Sequence, residues 1–117
     1  MKIAIIGSRN VKVDNLSAYL PEAISEIVSG GAKGVDTQAA EYAKSHNIKL
    51  KEFLPEYSRY KKGAPLKRNI QICEYADKVF AFWDGVSHGT KFVINYCKEH
   101  DIPVEIILVN STQETMK

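Results

Sequence analysis

Three glycine-containing turns, each lying between an apolar run and a helical pattern, constrain the fold of this chain most strongly. They occupy residues 7–10, 29–36 and 84–90, and the runs before the first and third, at 2–6 and 79–83, are almost entirely apolar. A strand buried on both faces of a parallel sheet has this composition. The repeated order of strand, turn and helix therefore predicts a parallel sheet that is covered by helices on both faces.

The apolar patterns predict five strands and four helices. The strands are expected at residues 2–6, 27–28, 48–51, 79–83 and 104–109. The apolar faces of the helices are expected to be Leu16, Tyr19, Leu20, Ala23 and Ile24 after an N-cap at Asp14; Val35, Ala39, Tyr42 and Ala43; Leu66, Ile70 and Cys73 after Pro65; and Phe92, Val93, Tyr96 and Cys97. Pro21 is expected to kink or split the first helix, and residues 54–64 are expected to form a long irregular segment.

These elements predict an α/β fold of three layers, with a five-stranded, mainly parallel sheet in the order 3-2-1-4-5. Right-handed crossovers leave few other topologies, and the charged alternation of residues 48–51 favours an edge strand. We expect one domain over residues 1–109 and a polar C-terminal tail over 110–117. The switch point then lies between the first and fourth strands, where open α/β sheets bind ligands at the carboxyl ends of their strands.

Length and composition exclude several classes of protein. A chain of 117 residues suits one domain, and no apolar run approaches the roughly 20 residues that span a bilayer. The N-terminal apolar run is too short for a signal peptide. Cys73 and Cys97 do not make a disulfide framework. These observations predict a cytoplasmic protein without a membrane partner.

The three turns offer the groups that bind phosphate. The backbone of Gly30 and Gly31 can approach an anion closely, and a helix that begins after the turn adds unpaired N–H groups and a positive dipole end. Arg9 can grip phosphate oxygens in bidentate fashion. The hydroxyl groups of Ser87 and Thr90 offer further contacts, although they can equally cap the fourth helix.

Other polar and aromatic side chains at this edge have two interpretations each. Asp36 can accept hydrogen bonds from a ribose or cap its helix, and Trp83 can stack on a base or belong to the core. Arg68 and Asn69 can reach the edge from the third helix.

Several familiar sites are missing from the sequence. It has no Gly-x-Gly-x-x-Gly after the first strand and no Gly-Lys-Ser/Thr, which argues against a dinucleotide site and a P-loop, so no cofactor is assigned. Cys97 and His100 lack a second pair that would complete a metal site. No catalytic constellation is evident, and His88 alone proves little.

Four blocks of sequence, at residues 7–9, 29–36, 64–69 and 81–90, resemble the SLOG superfamily, and most closely its small single-domain branch related to YspA and cpYpsA. The resemblance implies a Rossmann-like fold that binds nucleotides or their derivatives at this edge, and a tendency to self-associate. The ligand-binding residues expected from the turns and the resemblance are Gly7, Ser8, Arg9, Ser29, Gly30, Gly31, Ala32, Gly34, Asp36, Arg68, Asn69, Trp83, Ser87, Gly89 and Thr90.

More distant members of the superfamily suggest alternative functions. DprA, one of these members, uses a similar Ser-Gly-Gly-Ala turn when it binds single-stranded DNA. The LOG-type phosphoribohydrolases carry a catalytic Glu soon after a Gly-Thr pair, whereas Gly89-Thr90 is followed here by residues 91–94 without a carboxylate.

Three hypotheses follow. The first is a nucleotide-binding protein, with a ligand-sensor role as one option. The second is a hydrolase of an N-glycosidic or phosphate bond with Asp36 as its carboxylate. The third is single-stranded nucleic-acid binding through the basic, aromatic loop at 57–68.

Overall fold

Five strands of the computed structural model, which describes residues 1–31 and 33–109, form one parallel sheet in the order β3-β2-β1-β4-β5. The strands are β1 (Lys2–Gly7), β2 (Glu26–Ser29), β3 (Lys49–Glu52), β4 (Lys78–Trp83) and β5 (Val104–Leu108). The helices are α1 (Val35–Ser45), α2 (Tyr57–Tyr60), α3 (Ala64–Tyr75) and α4 (His88–Glu99), with 3₁₀ turns at Leu16–Ala18 and Lys61–Gly63. The predicted fold class and strand order are confirmed. The predicted tail at 110–117 lies outside the described residues.

The central strands bury both of their faces, as their apolar runs predicted. One face packs against α1 and the segment after β1, through Ile3, Ile5, Val11, Val13, Leu16, Ile27, Val35, Ala39, Ala43, Phe80 and Phe82. The other face packs against α3 and α4, through Ala4, Ile6, Val28, Ile72, Cys73, Val79, Ala81, Val93, Ile94 and Cys97. Successive residues of a strand point to opposite faces, so the sheet is the middle of three layers.

The predicted first helix is wrong, because only the 3₁₀ turn Leu16–Ala18 forms between β1 and β2 among the described residues. Pro21 lacks an N–H and disfavours helical backbone at the residue before it. Gln38 of α1 holds the segment instead, since its side-chain amide accepts from Val13 N at 2.8 Å and donates to Val13 O at 2.7 Å. Leu20 and Ile24 still pack against the core.

The segment at 54–64 is more regular than predicted. The backbone N–H groups of Arg59 and Tyr60 donate to Glu56 O, which starts the short helix α2.

Pro65 lies in the first turn of α3, as predicted, but Leu66 does not belong to the buried face of this helix. Leu66 is exposed, whereas Ile72 and Cys73 are buried, because the helix turns its 65, 68–69 and 72 positions toward the sheet edge described below.

No helix in the described ranges has the length and apolar character that a membrane span requires.

Candidate functional site

A cleft of about 390 Å³ opens at the carboxyl ends of the central strands, on the side of α3 and α4. It lies beside the switch point between β1 and β4, where the chain leaves neighbouring strands in opposite directions. Residues from all three turns and from three helices line it: Ile6, Gly7, Ser8, Arg9, Asn10, Gly30, Asp36, Pro65, Arg68, Asn69, Ile72, Ser87, Gly89, Thr90 and Val93.

The turn after β2 brings two oppositely charged side chains together above Gly30. Arg68 Nη1 donates to Gly30 O at 2.7 Å. A Cβ atom on Gly30 would lie 2.5 Å from Arg68 Nη1 and 3.1 Å from Asp36 Oδ2. Glycine at this position therefore lets the guanidinium and the carboxylate approach the same point of the turn. Positive φ values at Gly31 and Gly34, 68° and 75°, complete the path into α1.

Arg68 is half-buried and oriented by its neighbours. Its Nε donates to Asn69 Oδ1 at 2.9 Å. Burial lowers the pKa of Arg68, and the positive charge of Arg9 lowers it further, while Asp36 and Tyr57 act in the opposite direction. The guanidinium groups of Arg9 and Arg68 therefore lie within each other's electrostatic field at one cleft.

The turn after β1 is held by β4. Ser8 is buried, its N–H donates to Phe82 O at 3.2 Å, and its Oγ accepts from Asp84 N at 3.4 Å. Arg9, the next residue, is exposed. The backbone of the turn is therefore held by β4, while the exposed cationic side chain of Arg9 lines the cleft.

The turn after β4 is organised by Asp84. Its Oδ1 accepts from Val86 N at 3.0 Å and from Ser87 N at 2.8 Å. Desolvation raises the pKa of Asp84, but these hydrogen bonds and one from Ser8 outweigh it and lower the pKa below its ordinary value. Ser87 is thereby fixed as the N-cap residue of α4.

The first turn of α4 faces the cleft through Gly89 and Thr90. Thr90 is buried, and its hydroxyl pairs with that of Ser87 at 3.4 Å. A Cβ atom on Gly89 would meet no atom within 4 Å. The first turn of this twelve-residue helix therefore has open space beside Gly89.

A comparison with protein families identifies the group to which these turns belong. The model of the YspA, cpYpsA-related SLOG family matches residues 1–60, slightly more than half of the chain. The chain belongs to this family. The matched part contains the turns after β1 and β2, while α3, α4 and the turn after β4 lie beyond it. Searches of curated proteins and of solved structures gave no significant match.

The structure of this SLOG-family chain brings most of the predicted site residues to one cleft, but not all of them. Among the described residues, Ser29, Gly31, Gly34 and Trp83 do not line it. Ser29 Oγ accepts from Gly31 N at 3.4 Å, and Trp83 Nε1 donates to Ser87 O at 3.0 Å. These hydrogen bonds stabilise the turns that carry the lining residues. Ala32 lies outside the described residues.

Five lining residues were missed by the sequence prediction: Ile6, Asn10, Pro65, Ile72 and Val93. Three of them could have been found from helical spacing, because residues three and four apart share a helix face. Pro65 and Ile72 flank Arg68 and Asn69 at this spacing, and Val93 follows Thr90 by three residues.

The described residues hold no group of three or more His, Cys, Asp or Glu side chains that could bind a metal ion. Cys97, which the sequence paired with His100, is buried with its Sγ 3.7 Å from Cys73 Sγ. His88 is exposed and is not one of the lining residues.

Proposed function

We propose that this protein binds a nucleotide or a nucleotide-derived molecule in the cleft, with a phosphate group held between Arg9, Arg68 and the first turn of α4. The observation that carries the proposal is that two arginines, Arg9 and Arg68, line one cleft together with the start of α4. Two neighbouring like charges repel each other, and an anion bound between them relieves that repulsion. SLOG-family membership, which is generally nucleotide-related, supports the same choice of ligand.

The dimensions and polar groups of the cleft support a ligand of this class. Small-molecule sites commonly measure about 300–1,000 Å³ and combine an apolar wall with a few polar groups. At about 390 Å³, this cleft lies within that range. Ile72 and Val93 supply apolar wall, and the α4 N–H groups and the Thr90 hydroxyl supply donors for phosphate oxygens.

Asp36 is the group that we assign to the sugar. It is buried, it lines the cleft, and its Oδ2 lies near the turn at Gly30. A carboxylate accepts hydrogen bonds from ribose hydroxyl groups, as in other nucleotide sites at the edge of an α/β sheet. Arg68 keeps a positive charge beside it.

The same carboxylate supports the alternative of a hydrolase. Acid–base hydrolysis needs one group that donates a proton and one that accepts a proton, and glycoside hydrolases use two carboxyl groups for these roles. Asp36 is the single carboxylate among the described lining residues, which favours binding over hydrolysis. Release of free base from nucleoside monophosphates by the wild type, abolished in Asp36→Asn, would reverse this preference.

Single-stranded nucleic-acid binding remains the third proposal and concerns a different surface. Arg59, Lys61 and Lys62 are exposed and do not line the cleft. Binding through them would weaken steeply with salt, because counterions are released from the phosphate backbone. A sensor role and self-association are further proposals that rest on the family resemblance.

A thermal-shift panel followed by calorimetric titration tests the proposal. The panel contains AMP, ADP-ribose, NAD, cyclic nucleotides and a short oligo-dT, each at low and moderate salt. A ligand at 100 times its Kd stabilises the fold by about 2.7 kcal/mol. We expect a shift with at least one small nucleotide that persists at moderate salt.

Arg9→Ala is the decisive variant, with Arg59→Ala as its control. Both arginines are exposed, so neither change disturbs the core. Loss of a hydrogen-bonded charge at the phosphate costs about 1.5–3 kcal/mol of binding free energy, or at least tenfold in Kd. Equal affinities in Arg9→Ala and the wild type would refute the proposed site. Binding of oligo-dT alone, lost in salt and in Arg59→Ala, would transfer the function to the basic segment.

A further inference from the structure

An aromatic base bound together with the proposed phosphate needs a surface on which to stack, and the cleft itself does not provide one. None of the described lining residues is aromatic. Trp83, the stacking residue expected from the sequence, is tied by its indole N–H to Ser87 O and packs against the α3–α4 side of the core. The base must therefore lie beyond the phosphate and sugar, at the mouth of the cleft.

Three exposed apolar side chains lie in the part of the chain that shortly precedes Arg68. Leu54, Tyr57 and Leu66 are 58%, 58% and 46% exposed. They fall within one short stretch between β3 and the first turn of α3. Exposed apolar groups that cluster at the rim of a polar site commonly mark a binding surface.

Each of the three side chains adjoins a cleft residue in space or in sequence. Leu54 Cδ2 packs so close to Gly31, the residue after Gly30, that a Cβ atom there would clash with it. The Tyr57 phenol acts electrostatically on the guanidinium of Arg68. Leu66 follows Pro65, which lines the cleft. These neighbours place the exposed apolar side chains on the Arg68 side of the proposed phosphate site.

The Tyr60 ring is in contact with cationic side chains, whereas Tyr57 makes no such contact among the described residues. The Tyr60 ring carries Arg59 at 5.3 Å and Lys67 at 5.7 Å from its centroid. Among the described residues, no ring or cation lies on the face of Tyr57. A ring offset-stacked on a base contributes to affinity whatever the base, because every base has a π-face.

We propose that Tyr57, supported by Leu54, is the platform on which the aromatic base of the ligand stacks while its phosphate lies at Arg9 and Arg68. The assignment rests on the proposed function and adds a base-binding element to it. It also explains why the chain exposes apolar groups beside its most charged cleft. The recognised ligand is then a nucleoside phosphate rather than a sugar phosphate.

Paired titrations separate the platform from the phosphate site. The probes are the four nucleoside 5′-monophosphates and ribose 5-phosphate, which has the same sugar and phosphate but no base. The variants are Tyr57→Ala, Tyr57→Phe, which keeps the ring, and Leu108→Ala as a control. Leu108 is an exposed apolar residue of β5, which is not part of the cleft.

We expect Tyr57→Ala to weaken the best nucleoside monophosphate about tenfold, with ribose 5-phosphate unchanged. Tyr57→Phe and Leu108→Ala should bind both probes like the wild type. Wild-type affinity of Tyr57→Ala for every monophosphate, or an equal loss for ribose 5-phosphate, would overturn the platform alone. Failure of the wild type to bind any of the five probes would overturn the platform together with the phosphate site beneath it.

Discussion

The two ends of the sheet both gather ionisable side chains, which pair with one another at the amino end and border a cleft at the carboxyl end. At the amino end, Tyr75 Oη donates to Glu26 Oε1 at 2.7 Å, and Lys2 Nζ lies 4.3 Å from the centroid of the Tyr75 ring. The backbone N–H of Lys2 donates to Asp77 Oδ2 at 2.7 Å. At the carboxyl end, Arg9, Arg68 and Asp36 border a cleft of about 390 Å³.

Helix α3 connects these two ends and shows what the difference means. Its first half supplies Arg68 to the cleft, and its last residue, Tyr75, supplies the hydroxyl to Glu26. At the amino end, Glu26 Oε1 is bound by the Tyr75 hydroxyl and Asp77 by the backbone of Lys2, whereas the carboxyl-end arginines lie together at a cleft. Burial of charge therefore does not by itself distinguish a ligand site from a structural network. The space beside the charges does.

The largest expected effect comes from a carboxyl-end residue that is essential for packing. It is an exception to the contrast between a structural amino end and a ligand-binding carboxyl end. A Cβ atom on Gly7 would lie 2.7 Å from Val35 Cγ2 and 2.9 Å from the backbone oxygen of Phe82. Gly7→Ala should therefore lower the free energy of unfolding by about 3 kcal/mol, since backbone cannot move aside. Urea denaturation measures the change.

Gly89→Ala is the matched control for Gly7→Ala at the same cleft. Its methyl group would meet no atom within 4 Å, and alanine is the better helix former. The expected change in stability is an increase of at most about 1 kcal/mol. Similar losses in the two variants would show that the turns are not packed as described.

The second prediction sharpens the contrast by testing the amino end. Tyr75→Phe removes the donor to Glu26, a buried residue whose Oε2 has no hydrogen-bond partner among the described residues. Leaving a buried charged acceptor without its donor should cost about 2 kcal/mol. The free energy of unfolding should fall by this amount, and nucleotide affinity should stay at the wild-type value.

Tyr96→Phe provides the control, because Tyr96 Oη donates to Glu74 Oε2 at the same distance, 2.7 Å, in an exposed pair. Solvent replaces the lost hydrogen bond there, so the cost should be below about 0.5 kcal/mol. Equal costs for the two tyrosines would contradict the view that Glu26 belongs to a buried network.

The fold was predictable because local patterns determine it. Continuous apolar runs, the charged alternation at residues 48–51 and glycine turns before helical patterns identified every strand, and the right-handedness of crossovers then limited the strand order. The region between β1 and β2 was not predictable, because Pro21 opposes a helix and the contacts of Val13 with Gln38, 25 positions away, replace it. Periodicity carries no signal for such a long-range contact.

The candidate site, like the fold, was predictable only where the local sequence determines the position of a residue. The turns had to reach one sheet edge, so their glycines and Arg9 could be assigned there. The bond from Arg68 to Gly30 joins residues 38 positions apart, and the direction of the Trp83 indole depends on Ser87 O. The Tyr75–Glu26 pair, 49 positions apart, was missed altogether, because nothing local distinguishes it from surface residues.

The smallest predicted effect is the pH dependence of folding stability that arises from Asp84 in the turn after β4. Asp84 Oδ1 accepts hydrogen bonds from two backbone N–H groups, and it thereby positions Ser87 beside the cleft. The folded pKa of Asp84 lies below its ordinary value of 3.8. The folded state therefore binds fewer protons here than the unfolded state, so Asp84 stabilises the fold above pH 3.8 and this contribution is lost as pH falls through the folded pKa.

Stability measured by urea denaturation from pH 6 to pH 3 should decline less steeply in Asp84→Asn than in the wild type, because the amide keeps an acceptor oxygen but does not titrate. Glu22→Gln, which removes an exposed carboxylate, controls for net charge. Fluorescence of Trp83, the one tryptophan of the chain, reports on the same turn through its bond to Ser87 O. Parallel pH profiles in Asp84→Asn and the wild type would mean that Asp84 does not hold the turn, and that the start of α4 is positioned by Ser8 and Trp83 alone.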